Sequence, residues 1–133
     1  KSFSDGLTLP QPDVSDYNLR ALANLRRDDS RYCGSKAANL GHIRAHIAGS
    51  NVPDGFCIPF AYYHAMMDRL GINAATLAQI ETQSDGDNRK RRTALLILQK
   101  KFTDAEIPSE WKHRWAEQWR NHKQQRCVYL QLL

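Results

Sequence analysis

The sequence predicts an α+β fold, mainly helical, with about five helices and a small sheet of short strands. Three observations predict it. Apolar residues recur at helical spacing between cap signals over much of the chain, as in Leu95, Leu98 and Phe102. A tight turn, Val52-Pro53-Asp54-Gly55, feeds the short apolar run Phe56-Cys57-Ile58. The 133 residues, 41% hydrophobic and 25% charged, suit one soluble globular domain with a single core.

Each element follows in order. Residues 1–14 form an irregular lead-in containing Pro10-Gln11-Pro12, with no signal-peptide core and no starting Met, as expected of an internal fragment. Tyr17 to Arg27 is predicted helical, capped by Ser15 or Asp16 and ended by Asp28-Asp29-Ser30. Arg31-Tyr32-Cys33 is a candidate strand leading into Gly34. Ser35 caps a helix running to about Ala48 and stopping at Gly49, with Leu40, Ile43 and Ile47 as its apolar stripe. In the Val52–Gly55 turn, Pro53 fixes one φ angle and Gly55 can take a positive φ.

Phe60 to Leu70 resumes helical spacing, with Gly71 as a stop. Asn73 caps a helix through Leu77 and Ile80 to about Gln83, and Ser84-Asp85-Gly86-Asp87-Asn88 is a polar loop that ends in good cap residues for the helix after it. The next helix carries the Leu95, Leu98 and Phe102 stripe. Ile107-Pro108-Ser109-Glu110 starts a last one, with Trp111, Trp115 and Trp119 one turn apart. Cys127 to Leu133 is apolar and β-prone, a third strand.

Composition narrows the function. No apolar run approaches the roughly 18 residues of a membrane span, so no membrane partner is expected. Three cysteines, an odd count without a CxxC pair, suggest a reduced, cytoplasmic protein, with Cys33 and Cys57 read as small core residues. The net charge of +5 is uneven: residues 67–133 hold twelve Lys/Arg against eight Asp/Glu. That permits an acidic partner without naming one.

Gly34-Ser35-Lys36 places a glycine and a lysine at a helix start, where N–H groups and the dipole favour an anion. Lys36 itself opposes that dipole mildly, which points to a compensating anion. The stretch is not a P-loop, which needs GxxxxGK[ST].

Gly34, Lys36, Ala38, Leu40 and Gly41, followed by Val52, Pro53, Gly55, Phe56 and Ile58, are far more specific together. With Tyr62 and Tyr63 on the next helix and the Pro108-led helix after an Arg-rich one, this pattern resembles the start of the nucleotide-binding domain of phosphoenolpyruvate synthase and pyruvate phosphate dikinase. The resemblance covers about residues 30–125 and is strongest over 34–63. Residues 15–133 then correspond to an N-terminal piece of that domain, a partial ATP-grasp-like subdomain.

The resemblance implies that Lys36, with the backbone of Gly34 and Ser35, contacts ATP phosphates. Mg2+ would act in the parent enzyme, which transfers phosphoryl towards pyruvate through an enzyme histidine. Two positions depart from the pattern: Ser35 stands for a usual glycine and His42 for a common acidic residue. The family continues into a Val-Arg-Ser-Ser strand and acidic magnesium ligands, whereas this chain ends at Leu133. One phosphate donor does not make a phosphoryl-transfer site, so no catalytic residue is assigned and the fragment is expected to be inactive alone.

Other constellations are weighed against plainer readings. His42 and His46 have the i, i+4 spacing of a two-histidine metal face but lack a third ligand, and read as a solvated face with no metal. His64, His113 and His122 have no Ser, Cys or Asp neighbour at a telling spacing and read as non-catalytic. Arg89-Lys90-Arg91-Arg92 and the tryptophan helix could grip and stack on nucleic acid. The preferred reading makes the tryptophans a packing stripe flanked by solvated Lys112, Arg114, Arg120 and Lys123. A non-catalytic interaction module, dimerising through the final strand, is the main alternative, ahead of a nucleic-acid binder.

Overall fold

The computed structural model describes residues 11–122. Those residues are mainly helical, with five α-helices and one two-stranded antiparallel sheet, an α+β arrangement. They divide into two compact units, 11–61 with 115–122, and 62–114.

The first unit begins irregularly. The Asp13 N–H donates to the Arg31 carbonyl at 2.9 Å, while Asp13 and Asp16 accept from the backbones of Ser15 at 3.0 Å and Asn18 at 2.8 Å. Such Asx turns offer the backbone an alternative to a helix. They help explain why the helix expected over Tyr17–Arg27 is absent. Its place is taken by β1 (Arg20–Ala21) and two short 3-10 turns, Leu22–Asn24 and Arg27–Asp29. β1 pairs with β2 (Phe56–Cys57), Arg20 opposite Cys57 and Ala21 opposite Phe56. The Leu22 N–H donates to Gly55 O at 2.8 Å, extending the pairing by one bond. Tertiary pairing has overridden local propensity here.

α1 (Ser30–His46) starts earlier than expected, so Arg31–Cys33 is a helical turn and not a strand. Asp28 and Asp29 sit just before it, where the helix dipole favours negative charge. They introduce this helix and do not end a previous one. At Gly34 the path leaves helical geometry (φ 79°, ψ 158°) and resumes at Ser35.

The face that packs also differs from expectation. Leu40, Ile43 and Ile47 are exposed, Ile47 by 56%, whereas Ala38 and Gly41 are buried. The reason is close approach. A Cβ on Gly41 would lie 2.4 Å from Leu22 O, 2.7 Å from Leu25 O and 2.7 Å from Leu25 Cβ. The small-residue face meets the 3-10 turns almost backbone to backbone, over the fully buried Leu25.

In the second unit, α2 (Phe60–Arg69) contributes Tyr62 and Met66 to the core, beside Ile72 and Trp111. Tyr62 and Trp111 meet edge to face, ring centroids 5.1 Å apart, a favoured aromatic geometry. α3 (Ala74–Ser84) is capped by Asn73, whose Oδ1 accepts from the Thr76 N–H at 3.0 Å. α4 (Asn88–Thr103) is capped by Asp87, accepting from Arg89 N–H at 2.8 Å. Its inward stripe is Ala94, Leu98 and Phe102; Leu95, expected there, is exposed. α5 (Ser109–Asn121) starts where the Pro108 signal places it. Along it burial falls from Trp111, which is buried, to Trp119, which is half exposed. The third strand, predicted over Cys127–Leu133, lies outside the described residues.

Candidate functional site

The Gly34–Lys36 turn lies in the first unit. Gly34 occupies a region of positive φ and extended ψ that is essentially glycine-only. A Cβ there would also stand 3.3 Å from the Phe60 ring. Both facts require glycine, and the turn restarts α1 at Ser35. The positive end of that helix dipole therefore falls beside Ser35 and Lys36, both exposed.

The turn is fixed from behind. Cys33 and Cys57 form a disulfide, with Cα atoms 5.9 Å apart and a sequence separation of 24. This corrects the reading of both as unpaired core residues. Cys57 is indeed buried, in β2, and the bond joins that strand to the residue before Gly34. Neither cysteine lies in a spacing motif, so sequence gave no signal for the pairing.

Gly55 differs from expectation too. It does not take a positive φ. Its role is proximity, since a Cβ there would meet Leu22 Cδ1 at 3.2 Å. No turn is formed over the expected Val52–Gly55, and Asp54 there faces Arg44 of α1, Nη1 to Oδ1 3.5 Å. Phe56 packs beside the His122 ring, centroids 5.4 Å apart.

A cationic cluster missed by sequence reasoning lies at the start of α1. The Arg20 guanidinium stacks over the Tyr32 ring at 4.5 Å, and that of Arg31 lies 5.0 Å from the same ring. Arg20 is held by Asp16 and by Asp29, the latter at 2.7 Å. Hydrogen bonding from the Asn18 backbone and from Arg20 holds the Asp16 carboxyl below its usual range, and the bond to Asp16 raises Arg20 in turn. Asp13 is lowered chiefly by its bond from the Ser15 hydroxyl. The i, i+4 spacing of Asp16 and Arg20 was the available signal.

His42 and His46 stand together on α1, ring centroids 4.1 Å apart, with His46 Nδ1 2.8 Å from the His42 carbonyl oxygen. Burial, then the charges of His46, Arg27 and Arg26, push the His42 pKa down. Among the described residues no group of three His, Cys, Asp or Glu could hold a metal ion. No described helix is long and apolar enough to cross a membrane. In the second unit, Arg91 of the basic run pairs with Glu81, and His113 Nδ1 lies 2.8 Å from the Ser109 carbonyl oxygen.

A glycine-broken helix start bearing an exposed lysine, set in a small α+β fold, is the kind of element that receives phosphate in nucleotide-binding domains. The sequence profile of the family described as pyruvate phosphate dikinase, AMP/ATP-binding domain, matches residues 30–128. The chain belongs to that family. No curated protein and no solved structure matches the chain.

Proposed function

We propose that this chain supplies the phosphate-facing N-terminal part of an ATP-binding domain whose parent enzyme transfers phosphoryl towards pyruvate through an enzyme histidine. The observation that carries the reading is the Gly34 turn, which opens a helix at Ser35 within the matched family segment. Lys36 supplies the ammonium that neutralises an ATP phosphate, and the backbone of Gly34 and Ser35 orients it.

ATP supplies the phosphoryl group when bound, and the residues here bind and orient its phosphate end. Mg2+ belongs to the parent reaction, and the described residues offer no acidic cluster to hold it. The chain's partners are the nucleotide and the remaining domains of the parent enzyme. The exposed stripe Leu40, Ile43 and Ile47 favours a second reading, an interaction module that packs on those domains or on a second copy.

Titration calorimetry with Mg-ATP tests the first reading. Binding is expected, and Lys36→Ala should weaken it roughly 10- to 100-fold, the loss of one charge-assisted contact. Unchanged affinity in that variant refutes the site. No binding by the parent chain, with a salt-dependent oligonucleotide signal instead, refutes the function.

A further inference from the structure

We propose that Cys33 and Cys57 are a reversible dithiol–disulfide pair whose oxidation state controls the order of the Gly34–Lys36 turn. The inference rests in part on reading that turn as the phosphate site. Cys33 immediately precedes Gly34, and Cys57 lies in β2, opposite Arg20. The bond therefore ties the residue before the glycine break directly to the sheet. It closes a loop containing the Gly34 turn, the body of α1 and residues 52–55.

The other neighbours of this turn are non-covalent: the Phe60 ring lies 3.3 Å from where a Gly34 Cβ would stand, Arg20 stacks on Tyr32, and the Asp13 N–H donates to the Arg31 carbonyl. Breaking the bond frees the N-terminal side of the turn while the backbone packing of Gly41 still holds the middle of α1. Whether such a bond stays closed depends on its potential against that of its surroundings, and Cys33 is partly exposed, within reach of a reductant.

The chemistry is thiol exchange with a dithiol reductant. Its thiolate attacks Cys33 Sγ, since Cys33 is half-buried and Cys57 is buried. The Cys33–Cys57 S–S bond breaks, a mixed disulfide forms at Cys33, and Cys57 leaves as thiolate and takes a proton. The second thiol of the reductant then attacks the mixed disulfide and releases Cys33 as a thiol. Two electrons and two protons pass to the protein, and the reductant ends as its cyclic disulfide.

The test uses the full chain, equilibrated with oxidised or reduced dithiothreitol. Alkylation in denaturant and intact mass should show one labelled cysteine of the three in the oxidised sample, and three after reduction. Limited trypsin digestion then reads the turn directly. Cleavage after Lys36 should become about tenfold faster on reduction, relative to cleavage at Arg91 and Arg92 in the second unit. The Cys33→Ser/Cys57→Ser variant should cleave at the fast rate in both conditions. Mg-ATP affinity should fall about tenfold on reduction as pre-organisation is lost.

Three labelled cysteines in the oxidised sample overturn the proposal. So does an unchanged rate at Lys36, or an equal rise at Arg91 and Arg92, which would make the bond a global staple. Equal ATP affinity in both states, with binding intact, also overturns it and leaves the nucleotide reading standing. No ATP binding in either state, with cleavage at Lys36 still redox-dependent, sinks the nucleotide reading and supports the pair as a switch of the turn.

Discussion

Replacing Gly41 by alanine adds one methyl group where the structure has no room for it. The new Cβ would sit 2.4 Å from the Leu22 carbonyl oxygen, with the Leu25 carbonyl oxygen and Cβ each at 2.7 Å. Ordinary carbon–oxygen contact needs about 3.2 Å or more, so α1 and the 3-10 turns must separate by most of an ångström. Two of the three obstacles are backbone atoms, and no side-chain rotamer change relieves them. Opposing this, alanine in a helix interior is favoured over glycine by about 1 kcal/mol. Overpacking costs about 1–3 kcal/mol, and backbone obstruction places this site at the upper end. The clash wins, leaving a net loss of about 2 kcal/mol. For a chain of this size that lowers Tm by roughly 5–10 °C. Thermal unfolding followed by circular dichroism measures it, with Asn39→Ala, at an exposed position of the same helix, as comparison. A Gly41→Ala protein as stable as the parent would refute the close-packing account of α1.

Gly34→Ala should cost about 1–3 kcal/mol through its backbone conformation alone, and it should reduce ATP affinity together with stability; unaltered values for both would show that the turn does not need glycine. The pH dependence follows from His42. Its folded pKa is pushed down by burial and by the charges of His46, Arg27 and Arg26, so near pH 6.5 the unfolded chain binds more protons than the folded one. Stability should therefore rise with pH through that region and fall as pH drops below it. His42→Asn should flatten the Tm profile between pH 7.5 and 5.5, and an unchanged slope would assign it to other groups.

Local chemistry was legible wherever a single residue decides it. The Asn73 and Asp87 caps, the Pro108 helix start, the Gly71 stop and the β2 strand all stand where cap and turn residues place them. Glycine ahead of Ser35 was legible for the same reason, because helix restart and positive φ both select it. Expectations failed where pairing partners are distant in sequence. Arg20 to Leu22 have helical spacing in isolation, and β2, more than thirty residues away, draws them into a strand and turn.

Periodicity also misplaced the packed face of α1. Counting apolar residues selects Leu40, Ile43 and Ile47, but the area buried per side chain is not the only measure of packing. Gly41 and Ala38 allow two backbones to meet, and that proximity cannot be read without knowing what lies opposite. The Cys33–Cys57 bond belongs to the same class, since nothing in either cysteine's neighbourhood names its partner.

By itself, the sequence determined the helical plan, the capping chemistry, the family and the lysine at a glycine-opened helix, because those depend on residue types at short spacing. The tertiary structure alone decided that α1 packs through its smallest residues and that Arg20 stacks on Tyr32. It also decided that the turn before Lys36 is bonded to the sheet. Each of these depends on which distant segment the chain brings within a few ångströms, and short-range pattern carries no record of that.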